Sequence, residues 1–69
     1  NTPMRTLYKN TISEHKNLTY FAVEVDKKNL YISTTIEQEG HPGCLMVLDL
    51  PLWMAREIRA ALDELDGGE

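Results

Sequence analysis

The 69-residue chain holds a single cysteine, Cys44, so no disulfide can form within it. That excludes the cysteine framework that staples small secreted domains and points to a reduced, cytoplasmic setting. Long apolar runs are also missing. The longest, Cys44 to Leu48, is far short of the ~20 residues that a membrane span needs, so no membrane partner is expected. No basic segment followed by an apolar stretch opens the chain, so no signal peptide is expected; Asn1-Thr2-Pro3 reads as a frayed end and Met4 as a natural start. Histidine is scarce. His15 and His41 with Cys44 fall short of the four ligands of a structural zinc site, so neither metal nor cofactor is expected. His41 and Cys44 also lack the orienting third group that a nucleophilic pair requires. Gly40-His41-Pro42-Gly43 lacks the spacing and the Lys-Ser/Thr of a phosphate-binding loop. No set of acid, base and nucleophile is visible, which argues against an enzyme.

Basic residues are the minority, 7 against 11 acidic ones, for a formal charge of −4. Overall acidity argues against strong non-specific nucleic-acid binding. The charges are unevenly spread, however. Residues 1–35 carry Arg5, Lys9, Lys16, Lys27 and Lys28 against Glu14, Glu24 and Asp26, whereas residues 36–69 carry two arginines against eight carboxylates. The first half therefore leaves room for a locally basic surface.

At this length the chain is one small domain, residues 1–69, with no internal repeat. Such a domain buries only about 60% of the surface its unfolded chain exposes, so its core is thin and self-association is the available staple. Leu7 to Ser13 alternates weakly and reads as an edge strand. Leu18 to Val25 is a clear strand, with Phe21, Val23 and Val25 on one face and Tyr20, Ala22 and Glu24 on the other. Asp26 to Asn29 reads as a hairpin loop, and Leu30 to Glu37 as a third strand with Leu30, Ile32 and Ile36 on one side. Gln38 to Gly43 reads as a loop. Cys44 to Leu50 is a fourth strand, apolar on both faces, which suggests that both sides are covered, one of them by a partner chain. Pro51 suits the first turn of a helix, and Met54, Ala55, Ile58, Ala61, Leu62 and Leu65 then make a helical stripe. Gly67-Gly68 supplies a stop with a left-handed cap.

The expected fold is α+β: a four-stranded antiparallel meander followed by one C-terminal amphipathic helix packed on one sheet face. In this reading Phe21, Val23, Ile32, Ile36, Leu45 and Val47 meet the helix stripe. Tyr20, Ala22, Tyr31, Ser33, Thr35 and Met46 form an open face. Aromatic rings on an open sheet face stack unpaired bases in many proteins, which makes Tyr20 and Tyr31 candidate stackers and Lys9, Lys27 and Lys28 candidate phosphate contacts. Ordinary cross-strand packing or dimer contacts are the more common reason for two tyrosines on neighbouring strands. Trp53, off the apolar stripe, and Met46 and Leu48 are candidate residues of a dimer or partner interface.

The loop Gly40-His41-Pro42-Gly43, the strand Leu45 to Leu48 and the segment Pro51-Leu52-Trp53 carry a resemblance. Over residues 18 to 65 the layout resembles the transcriptional coactivator family called positive cofactor four, and its distant relatives the Pur repeats. The resemblance implies transcription regulation by a homodimer joined through helices and sheet, with single-stranded nucleic acid on the strands. A competing expectation is a protein-interaction module or acidic accessory protein, of the phage type, that binds a larger machine through the free face, Trp53 and the acidic helix.

Overall fold

The computed structural model describes residues 3–41, 43 and 45–68. Strands β1 (Arg5–Glu14), β2 (Asn17–Val25), β3 (Asn29–Gln38) and β4 (Leu45–Pro51) form one antiparallel sheet in the order β1-β2-β3-β4, and helix α1 (Leu52–Gly67) follows. This is the meander and C-terminal helix that the sequence pattern predicts. Pro42, placed in the third loop, and Cys44, placed at the start of the fourth strand, lie outside the described residues.

The turns follow from local chemistry. His15 takes φ 58° in the two-residue link between the paired residues Glu14 and Asn17. Glu39 (φ 49°) and Gly40 (φ 80°) turn the chain so that Gln38 and His41 pair. Two successive positive φ values are the mark of the hairpin turn whose twist matches that of its strands. The segment expected as a six-residue loop therefore begins as a tight hairpin. At Asp26 the carboxylate Oδ1 accepts the backbone N–H groups of Lys28 and Asn29, both at 2.8 Å, which closes the β2–β3 turn.

The helix ends differ from expectation. Pro51 stays extended (φ −58°, ψ 145°) as the last residue of β4, and no side chain caps the helix. The Leu52 N–H instead donates to the Lys28 carbonyl at 2.9 Å, so the β2–β3 turn satisfies one of the free donors at the helix start. At the other end Gly68 is right-handed (φ −81°), and its N–H donates to the Glu64 carbonyl. The helical bond pattern simply runs on, and no left-handed cap forms.

Cross-strand partners share a face, so the register sorts the side chains. One face is apolar: Val23 aligns with Ile32 and Leu48, and Phe21 with Thr34 and Met46. The other is more polar: Lys9 aligns with Ala22 and Ser33, and Thr11 with Tyr20 and Thr35. This corrects the phase of the fourth strand. Leu45 and Val47 pair with Thr35 and Ser33 and share the tyrosine face, while Met46 belongs to the apolar one. A strand that is apolar on both sides carries no alternation to fix its phase.

The helix sits on the apolar side but covers little of it. It lies against β3 and β4 alone, and an open apolar groove of about 240 Å³ separates Leu30, Ile32 and Leu50 from Ala55, Ile58 and Leu62. The expected contact along the whole stripe is therefore not made, and the sheet is open on both sides. Among the described residues none is buried. The accessible surface is 5858 Å², against about 4,400 Å² for a compact chain of 7.9 kDa. The radius of gyration, 14.9 Å, exceeds the ~11 Å of a compact 69-residue domain.

Candidate functional site

The polar face holds a shallow hollow of about 170 Å³ in the middle of the sheet. Lys9 and Tyr20 wall it, Ala22 and Ser33 floor it, and Thr11 and Thr35 complete the rim. It spans two neighbouring rungs, Lys9–Ala22–Ser33 and Thr11–Tyr20–Thr35. The floor is low because its side chains are small. A flat ring can therefore lie against Tyr20 with a cation beside it and hydroxyl groups at its edge.

Lys9 reaches this face only because β1 is irregular. The register slips between Thr6 and Tyr8, leaving Leu7 as an extra residue. Thr6 aligns with Glu24 before the slip, and Lys9 aligns with Ala22 after it, so both lie on the polar side. Without the extra residue, strict alternation would send Lys9 to the apolar side. The same slip places Tyr8 and Ile12 on the apolar face and accounts for the weak alternation in the sequence.

Tyr31 lies on the same face but away from the hollow. Tyr20 aligns with Thr35, four positions along β3 from Tyr31, which is about 13 Å at the rise of a strand. Its immediate neighbours on either side are Glu24 and Asp49. Its hydroxyl donates to Asp26 Oδ2 at 2.9 Å and accepts from the Asn29 amide at 3.4 Å. The Asn29 bond lowers the phenol's pKa. The Asp26 bond, desolvation and the charges of Asp26 and Asp49 outweigh it and hold the phenol above its ordinary value. Lys27 and Lys28 are exposed at the tip of this same turn. The structure thus brings Lys9 to Tyr20, and it sets Tyr31, Lys27 and Lys28 together at a second, more acidic end. Lys16 is engaged elsewhere, 3.6 Å from Glu39.

Asp26 is held below the ordinary aspartate value, first by the backbone N–H of Lys28, then by that of Asn29 and by the Tyr31 hydroxyl. A lowered folded-state pKa contributes stability above the unfolded value, and that stability is lost as pH falls through the folded one. The β2–β3 turn is therefore expected to loosen at acid pH, and Asp26→Asn to remove this part of the pH dependence. Amide chemical shifts of Lys28 and Asn29 followed through an acid titration will show it; shifts that ignore the Asp26 titration would contradict the assignment.

Sequence pattern puts Ala22, Ser33 and Thr35 on the open face with Tyr20 but misses Thr11 as part of the site. The signal that would have placed Thr11 and Lys9 is the bulge, which composition does not announce. The interface candidates Met46 (64% exposed), Leu48 and Trp53 all stand open to solvent. Among the described residues no three metal-binding side chains converge, and no helix is long and apolar enough to cross a membrane. Comparisons with family models, curated proteins and solved structures find no match for this chain.

Proposed function

We propose that the chain is a homodimeric binding module, not an enzyme, that takes single-stranded nucleic acid on its polar sheet face. The observation that carries this reading is the Lys9–Tyr20 hollow: a half-open aromatic ring, a neighbouring cation and a low floor with hydroxyl groups on one rigid sheet. Tyr20 stacks a base and Lys9 meets the adjoining phosphate. Lys27 and Lys28 meet phosphates at the sheet end, on a turn that Tyr31 and Asp26 hold in shape. Base–aromatic stacking contributes about 1–3 kcal/mol per base, and each phosphate contact on a single strand adds a salt slope of about 0.7. The layout that resembles positive cofactor four supports the same reading.

The dimer half of the proposal rests on the apolar side. Face and helix stripe together leave Ile36, Met46, Leu48, Ile58, Leu62 and Leu65 exposed. Apolar surface of that extent marks an interaction site. The excess over a compact chain, roughly 1,400 Å², is the area per subunit of an obligate interface.

Fluorescence anisotropy with labelled single-stranded DNA and RNA oligonucleotides at low salt tests the ligand. Micromolar binding that weakens with added salt is expected. Failure to bind at a few hundred micromolar protein would overturn it.

A further inference from the structure

The two edges of the sheet are built in opposite ways. At the β1 edge the chain carries Arg5, Lys9 and Glu14 and a bulge at Leu7. Charged side chains and bulges are the devices by which proteins keep an edge from pairing with another strand. The β4 edge has no bulge, and its one charge, Asp49, and its proline, Pro51, stand at the end next to the helix. Its register against β3 is unbroken from Thr35–Leu45 to Asn29–Pro51, and Leu45 to Leu48 carries no charge. All four side chains are open: Leu45 64%, Met46 64%, Val47 55% and Leu48 56% exposed. They fall on both faces of the sheet, two on each. Apolar residues on both faces are the composition of an interior strand, covered above and below, and β4 stands at an edge.

We infer that β4 is the seam of the homodimer, pairing antiparallel with the β4 of a second copy to make one continuous eight-stranded sheet. The occupant is a second copy because the excess accessible surface is of obligate-dimer size and because an antiparallel pair of identical strands closes on itself. Its two-fold axis runs normal to the sheet, so the contact is isologous and leaves no further edge of this kind. The same axis keeps both apolar faces, with both helices, on one side, and both Lys9–Tyr20 hollows on the other. The hollows then lie five strand spacings apart, about 24 Å, and one nucleic-acid strand can cross from one to the next. The inference rests on the homodimer of the proposed function but not on its nucleic-acid ligand.

Three measurements on the full chain test it. Isotope-filtered NMR on an equal mixture of labelled and unlabelled protein should show interchain backbone contacts from β4 to β4. Amide exchange should protect the outward N–H groups of β4 about 100-fold over those of β1. Leu48→Lys, which puts a charge beside the seam, should weaken dimerisation at least about 100-fold, and Ser13→Lys on the opposite edge should leave it unchanged. A dimer whose interchain contacts run only from helix to sheet, with β4 exchanging as fast as β1, would overturn the seam while sparing the dimer. A monomer at hundred-micromolar concentration would overturn both. Loss of oligonucleotide binding with the β4 contacts intact would overturn only the ligand.

Discussion

Diluting this protein is expected to lower its melting temperature. A domain with its own core unfolds at a temperature that does not depend on concentration, and no described side chain here is buried. The helix rests on the ends of β3 and β4 and leaves its stripe open. Under the proposed homodimer the stability of the folded chain comes from association, and dissociation couples to unfolding. Each tenfold dilution removes about 1.4 kcal/mol per dimer and should shift the midpoint by roughly 5 °C. Leu62→Asp sharpens the test. Leu62 is 55% exposed in the single chain, where a surface substitution costs within about 0.5 kcal/mol. Covered by a second copy, the same carboxylate is unpaired and desolvated and costs about 3 kcal/mol or more. The variant is expected to be largely unfolded at micromolar concentration. Circular dichroism melts and light scattering across a hundredfold concentration range will report both effects, and a concentration-independent midpoint shared by the variant would contradict the intermolecular core.

The second large effect is on ligand binding at the hollow. Tyr20→Ala removes the stacking surface and is expected to weaken oligonucleotide binding by about 5- to 150-fold, the range spanned by 1–3 kcal/mol per stacked base. Tyr20→Phe keeps the ring and should bind as the native chain does. Lys9→Ala should lower the salt slope by about 0.7, the signature of one fewer neutralised phosphate. Tyr31→Phe removes a hydroxyl bound to Asp26 and Asn29, outside the hollow; it should loosen the turn and, through Lys27 and Lys28, weaken binding far less than Tyr20→Ala does. Anisotropy titrations at three salt concentrations separate these outcomes. Equal losses from the Tyr20 and Tyr31 variants would show that general destabilisation, not stacking, governs binding.

Much of this architecture is legible in the residue pattern. Phe21, Val23 and Val25 alternate cleanly, Leu30, Ile32 and Ile36 do the same, and the helix stripe has its period from Met54 to Leu65. Period carries this information because burial of one face imposes it. Two things escape the pattern. Leu45 to Leu48 is apolar throughout, so its two phases are indistinguishable until the hydrogen-bond register is known. The slip at Leu7 shows in the sequence only as weak alternation, which does not locate it, and it alone decides which side Lys9 takes. The partial cover of the sheet escapes for a different reason. Apolar side chains declare that a surface is to be dried, but not which chain dries it.

The extra residue at Leu7 divides the first strand into two reading frames. Parity before it matches the even positions of β2 only through Thr6, and parity after it is inverted as far as the turn at His15. A single inserted or deleted residue at the amino-terminal side of Leu7 changes at most the faces of Arg5 and Thr6. The same event between Tyr8 and Ser13 moves Lys9 or Thr11 off the polar face or Tyr8 or Ile12 onto it, so the cost of an identical lesion depends on which side of one leucine it falls.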